Sequence, residues 1–211
     1  MDTSNKYKTE RKEVARFMRR LYKHGLTTTS GGNISLKISD NLIAITPSAT
    51  DKGSMKWKEV GLLTMGGENL TPDLKPSIES EMHLSIYRKK AIKAIVHAHP
   101  TFATTFTAMK NKINISLTAE ACAILEEPLF VPYALMGTKK LADMVADYIE
   151  KSDILLLVNH GVLTTGKNLL QAFDKIEVLE NAARMTLIVD FAGKKKSLSK
   201  EKIKEIEKLF R

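Results

Sequence analysis

The sequence predicts an α/β domain whose sheet is largely antiparallel, and three observations carry that expectation. Apolar residues recur at helical spacing toward both ends of the chain, short apolar runs bounded by turn residues fill the middle, and adjacent runs are joined by tight polar turns. Val14, Phe17, Met18, Leu21 and Tyr22 make one apolar helical face that stops at Gly25. Residues 34–38 and 42–46 read as strands joined by Ser39-Asp40-Asn41, a hairpin. Residues 60–65 read as a strand turning at Gly66-Gly67, and Pro76 precedes a helix over about 78–89. A strand over 92–97, a helix over 101–109 and a short strand over 129–131 follow. Leu141, Val145, Tyr148 and Ile149 give residues 138–151 one apolar helical face, and residues 153–158 read as a strand. Residues 168–192 read as a long helix ended by Gly193, and Ser199 as the cap of a last helix.

At 211 residues with no internal repeat or low-complexity linker, the simplest organisation is one domain over residues 1–211. The 43% hydrophobic and 27% charged residues are ordinary for a globular protein, and no apolar run is long enough to span a bilayer. Met1-Asp2-Thr3-Ser4-Asn5-Lys6 carries no apolar secretory core, and the single cysteine, Cys122, excludes an internal disulfide, so the expected compartment is the cytoplasm. The net charge of +9 invites a nucleic-acid reading. Its distribution argues otherwise: residues 1–24 and residues 194–211 each hold eight Lys/Arg against three Asp/Glu, and the rest is close to neutral. Those charges interleave with apolar residues at helical spacing, as on a solvated helix face, so neither nucleic acid nor membrane is an expected partner.

The chemistry-bearing residues cluster at run ends. Ala94-Ile95-Val96-His97-Ala98-His99 places two imidazoles two residues apart, on one side of a strand. The run 154–158 ends in Asn159-His160-Gly161. Three imidazoles are a common ligand set for catalytic zinc, leaving a position open for water or substrate. A carboxylate, Glu79, lies upstream in Lys75-Pro76-Ser77-Ile78-Glu79. His24, before Gly25 at a helix end, and His83, inside a helix, fit structural roles better. Ser30-Gly31-Gly32-Asn33 can offer unobstructed backbone N–H groups to an anion, and Ser48 and Ser77 add hydroxyls.

These segments, in this order, resemble the class II aldolase/adducin family, and its fuculose-phosphate branch in particular. The matching stretches are Ser30-Gly31-Gly32-Asn33-Ile34-Ser35, Ile45-Thr46-Pro47-Ser48, Pro76-Ser77-Ile78-Glu79, His97-Ala98-His99, residues 131–138 and Asn159-His160-Gly161. The resemblance implies a three-layer fold, with a central, mostly antiparallel sheet flanked by helices. It implies zinc on His97, His99 and His160, and Glu79 as the acid/base or an occupant of the fourth zinc position. It implies phosphate-binding loops at Gly32-Asn33, Ser48-Ala49 and Ser77-Ile78. It also implies a homotetramer with interfacial active sites. The implied reaction is reversible cleavage of a ketose 1-phosphate, such as L-fuculose 1-phosphate, to dihydroxyacetone phosphate and a short aldehyde. In that reaction zinc acts as Lewis acid toward the enediolate.

The chain departs from the branch at Ile78, where a second serine stands, and at Ala49, where a glycine stands. The branch's interface tyrosine falls near Thr118, and no tyrosine follows Tyr148. Ile78 and Ala49 can still serve the phosphate through backbone N–H groups, whereas the missing tyrosines concern the aldehyde half of the site and make a 5-deoxypentulose 1-phosphate a competing substrate. The same scaffold hosts a methylthioribulose-phosphate dehydratase and pentulose-phosphate 4-epimerases; the epimerases carry aspartate where this chain has Glu79. Non-enzymatic adducin-type members lose the zinc histidines, all of which are present here. A basic nucleic-acid-binding module is the most distant alternative.

Overall fold

The structure is a computed structural model that describes residues 7–109, 111–193 and 195–210. In chain order the elements are α1 (Lys8–Lys23), β1 (Asn33–Ser39), β2 (Leu42–Ile45), β3 (Gly61–Thr64), α2 (Ser80–Lys89), β4 (Ala94–Ala98), α3 (Thr101–Thr107), α4 (Ala119–Ile124), β5 (Leu129–Val131), α5 (Lys139–Ile149), β6 (Ile154–Leu157), β7 (Gly161–Gly166), α6 (Leu169–Ala192) and α7 (Lys200–Phe210). The strands form one seven-stranded sheet in the order β3-β2-β1-β4-β7-β6-β5. Every pairing is antiparallel except that of β5 with β6 at one edge.

Helices cover both faces of the sheet, as the resemblance implied. Strand β4 shows how the alternation of side chains divides the two cores. Ala94, Val96 and Ala98 join Val14, Phe17, Met18 and Leu21 of α1 and Phe173 and Ile176 of α6. Ile95 points the other way, into a core built with Met82 and Ile86 of α2 and Leu141, Val145 and Ile149 of α5. A third cluster seats α3 and the middle of α6 on Ile154, Leu156 and Val162. Each fully buried large apolar side chain contributes about 1.5–3 kcal/mol, so these interleaved faces carry most of the driving force.

The predicted boundaries hold to within a residue or two, with definite exceptions. Strand β7 and helix α4 were not anticipated. Val162-Leu163-Thr164-Thr165 is short, lies between glycines and is buried on both faces, so it shows no alternation of polar and apolar residues. Its pairing with β6 and β4 is non-local information. Helix α4 has only six residues, started by Thr118 Oγ1 accepting from Ala121 N at 3.2 Å. Thr118, which falls near the family's interface tyrosine, is therefore a helix cap here. The long helix is bounded as predicted, with Asn168 Oδ1 accepting from Gln171 N at 2.8 Å and Gly193 at φ 68°.

Part of the N-terminal positive charge is structural. Arg11 is buried, donates to Val60 O at 3.0 Å and Lys58 O at 2.9 Å, and stacks on Trp57. Arg20 lies 4.3 Å from the Phe173 ring. His24 ends α1 and sits 2.5 Å from Glu177 Oε1, which fits the structural role expected of it. Among the described residues no helix is long and apolar enough to cross a membrane.

Candidate active site

The predicted site residues come from five separate stretches that meet at one end of the sheet. His97 is the penultimate residue of β4 and His99 follows the strand. His160 lies in the hairpin between β6 and β7, where Asn159 takes φ 54° and His160 N donates to Leu157 O at 3.0 Å. The three imidazoles place their ligand atoms within 4.8 Å of one another. His97 Nε2 and His99 Nε2 are 3.2 Å apart. Glu79, the N-cap residue of α2, completes the cluster: Oε2 is 3.3 Å from His97 Nε2 and Oε1 is 3.3 Å from His160 Nε2.

The close packing explains Gly161. A Cβ there would stand 2.5 Å from His99 Cδ2 and 2.7 Å from Ala98 O, so any side chain would push the imidazoles apart. Gly32 is required for two reasons. It takes φ 68°, and a Cβ would meet His97 O at 2.8 Å.

The site is largely buried, and burial lowers the pKa of two of its histidines. Burial, then the nearby rings of His99 and His160, drive the pKa of His97 well below its ordinary value. His99 is lowered by burial and then by His160. His97 Nδ1 lies 2.9 Å from Val162 O, so the carbonyl fixes the proton there and turns the bare Nε2 toward the cluster. Glu79 Oε1 and His160 Nδ1 are buried without a hydrogen-bond partner. Three imidazoles, one with its tautomer locked, facing an incompletely satisfied carboxylate, form a donor set that suits a divalent metal. The residues present therefore fit the group that the resemblance implied.

Three loops surround this cluster and are tied to each other. Ser48 Oγ accepts from Ile78 N at 3.0 Å, and Ser48 N donates to Lys75 O at 3.1 Å. Ser77 Oγ accepts from Glu79 N at 3.2 Å. Lys52 N donates to Thr29 O at 2.9 Å, which joins the second loop to the first. Lys52 itself is buried, with Nζ donating to Pro47 O at 2.6 Å, and burial lowers its pKa to about 8. Ala49 adopts φ 54°, so the alanine at the family's glycine position still takes the left-handed backbone. Ile78 is exposed, whereas the Asn33 side chain is turned inward to Glu79.

One residue of the site escaped the sequence reading. His83, assigned a structural role, is fully buried one helical turn after Glu79 and bonds to Asn33 and Ser35. The signal that could have found it is the spacing Glu79, His83, Tyr87 at i, i+4, i+8 of a helix facing Asn33 and Ser35 at i, i+2 of a strand.

A profile of the class II aldolase and adducin N-terminal domain matches residues 12–187. The chain belongs to the class II aldolase and adducin family. Class II aldolases are metal dependent, and the three clustered histidines of this member accord with that. It is 35% identical over 179 residues to an L-fuculose phosphate aldolase of Methanococcus maripaludis, covering 84% of this chain and 96% of the relative. A 5-deoxy-D-ribulose 1-phosphate aldolase of Bacillus thuringiensis is 31% identical over 95% of both chains. A 3-oxo-tetronate 4-phosphate decarboxylase of Haemophilus influenzae is 32% identical over 90% of this chain and 91% of its own. A solved L-fuculose 1-phosphate aldolase superposes with a TM-score of 0.87 at 30% identity, covering 96% of each chain. The aldolase class and a sugar-phosphate substrate thus stand on the whole length of the fold as well as on its motifs.

Proposed function

We propose that this class II aldolase family member is a zinc-dependent enzyme that reversibly cleaves a deoxyketose 1-phosphate to dihydroxyacetone phosphate and a short aldehyde. L-Fuculose 1-phosphate and 5-deoxy-D-ribulose 1-phosphate are the leading substrates, from the relatives' activities. The observation that carries the reading is Glu79 set 3.3 Å from both His97 and His160, with Oε1 buried and unpartnered. His97, His99 and His160 would hold the cation, with Glu79 able to take a fourth position in the resting state. A cation there supplies Lewis-acid stabilisation of the negative charge that develops on the substrate carbonyl oxygen.

The chain's own groups account for the remaining steps. Gly32-Asn33, Ser48-Ala49 and Ser77-Ile78 hold the phosphate, a phosphate oxygen competing with Ser48 Oγ for the Ile78 N–H. Fixing the phosphate fixes the register of the reacting carbons against Glu79. In the condensing direction Glu79 takes the C3 proton of dihydroxyacetone phosphate. C3 then bonds to the aldehyde carbon, whose oxygen gains a proton. In cleavage C3–C4 breaks and Glu79 returns a proton to C3. The proposal includes a single domain over 1–211, a cytoplasmic location and a homotetramer with interfacial sites. The exposed Ile78, Tyr133, Leu135 and Met136 beside the phosphate loops support the last of these.

The test is metal analysis of the purified protein, then condensation of dihydroxyacetone phosphate with a panel of short aldehydes. Chelation should abolish turnover and zinc should restore it. The absence of both bound metal and condensation with every aldehyde would sink the reading. A second reading, decarboxylation of a 3-oxo-acid phosphate, draws on the relative of that activity. It also ends in a carbanion beside a carbonyl, and release of carbon dioxide without an aldehyde distinguishes it. Dehydration would instead give one diketone phosphate.

A further inference from the structure

A continuous run of buried hydrogen bonds lies behind Glu79, on the sheet face covered by α2. Tyr87 Oη is 2.9 Å from Ser35 Oγ, which is 2.6 Å from His83 Nδ1. His83 Nε2 is 2.5 Å from Asn33 Oδ1, and Asn33 Nδ2 donates to Glu79 Oε2 at 2.7 Å. Strand β1 contributes Asn33 and Ser35, two residues apart, and α2 contributes Glu79, His83 and Tyr87, one turn apart, so the two elements interleave like teeth. Every member is buried.

The chemistry of the groups sets the direction of donation at the Glu79 end and favours it along the run, although Tyr87 Oη also reaches Lys93 O at 3.4 Å. An ionised carboxylate only accepts, so the Asn33 amide must turn its NH2 toward Glu79 and its oxygen toward His83. His83 must then carry its proton on Nε2. Nδ1 faces Ser35 Oγ at 2.6 Å, a hydroxyl able to donate to it. Ser35 therefore donates to Nδ1, and with its proton committed its oxygen must accept from Tyr87. Donation runs Tyr87 to Ser35 to His83 to Asn33 to Glu79, each bond polarising the next.

We propose that His83 is a positioning residue for Glu79, acting through Asn33. It fixes the amide orientation that holds Oε2 and leaves Oε1 as the one oxygen open to a proton. The inference deepens the aldolase reading and rests on it for the role of Glu79. Without a donor at this position the Asn33 amide is free to flip. Its oxygen would then face the carboxylate and turn it away from the substrate carbon.

The experiment has two arms. In the first, nitrogen NMR of the histidine rings in the purified wild-type protein reads the tautomer of His83, and Nε2–H with a bare Nδ1 is expected. A protonated Nδ1 overturns the proposal, whatever reaction the protein catalyses. In the second, steady-state kinetics compare the zinc-loaded wild type, His83→Leu and His83→Gln. Leucine cannot donate to Asn33, and kcat should fall about 10–100-fold with KM for the phosphate substrate unchanged. Glutamine can donate to Asn33 and accept from Ser35, and should recover most of the loss. An unchanged kcat in His83→Leu, or a His83→Gln protein as slow as a folded His83→Leu, overturns the proposal. Absence of aldol turnover in the wild type, with the Nε2–H tautomer present, would fault the assigned reaction and leave the positioning of Glu79 standing.

Discussion

At one end of the sheet Asp153 is closed in by partners; at the other Glu79 faces His97 and His160 with one oxygen left over. Asp153 precedes β6. It accepts from Lys175 Nζ at 2.8 Å and Thr165 Oγ1 at 2.5 Å, and pairs with Lys90 at 2.8 Å. Glu79 accepts one hydrogen bond, from Asn33, and its Oε1 is buried with none. Glu79 is buried and Asp153 half-buried, and both neighbour strands β6 and β7, but they are finished in opposite ways. At Asp153 burial raises the pKa, and hydrogen bonds from Lys175, Lys90 and Thr165 outweigh it, bringing the carboxyl to about 2. At Glu79 the opposing groups are imidazoles rather than ammonium groups, and burial lowers the pKa of His97, so that ring supplies no fixed positive charge. A satisfied cluster contributes to stability, whereas an unfinished one retains free energy for a ligand or a proton.

Mutations at the two clusters should break that comparison in opposite ways. The largest effect is expected at the unfinished end. Glu79→Gln should lower kcat about 10²- to 10⁴-fold, as removal of a general base does, while the fold and thermal midpoint hold. Full turnover of a normally metallated variant would remove Glu79 from its role. Asp153→Asn should do the reverse, leaving kcat nearly unchanged and lowering unfolding free energy by about 3 kcal/mol in urea titrations. The cause is a buried Lys175 ammonium stripped of its counter-charge. The pH dependence carries the same signature. A carboxyl depressed from 3.8 to about 2 contributes stability that is complete above pH 3.8 and lost as pH falls through 2.

A smaller effect is expected at the loops. Ser48→Ala removes a hydroxyl proposed to donate to the phosphate and should raise KM for the phosphate substrate about 10-fold, with kcat kept. The smallest effect concerns Lys52, a buried cation beneath the same loops. Its pKa is lowered from 10.5 to about 8, so between those pH values the unfolded chain binds a proton that the folded protein does not. Stability should rise with pH across that window, and Lys52→Met should flatten the rise in thermal midpoint against pH.

Much of this was legible in the chain itself. The i, i+2 spacing of His97 and His99 placed both rings on one side of the run that ends β4, the amphipathic spacings located α1 and α5, and Pro76 and Gly193 marked one end each of α2 and α6. Other parts depended on distant contacts. Thr164 and Thr165 have no patterned alternation, and they form a strand because β4 and β6 flank them. The role of His83 was hidden for the same reason. On its helix it is one buried residue among several, and only the register of β1 brings Asn33 and Ser35 against it.

The sequence alone therefore located most of the elements and the candidate ligand residues, because periodicity, side-chain chemistry and backbone sterics act within a few residues. The tertiary structure decided which polar groups are finished and which are left open. Burial and hydrogen-bond completion belong to a three-dimensional neighbourhood assembled here from β1, β4, the β6–β7 hairpin and α2. Glu79 and Asp153 are both acidic residues at element ends, and only that neighbourhood makes Asp153 a support and leaves Glu79 open for the role proposed for it.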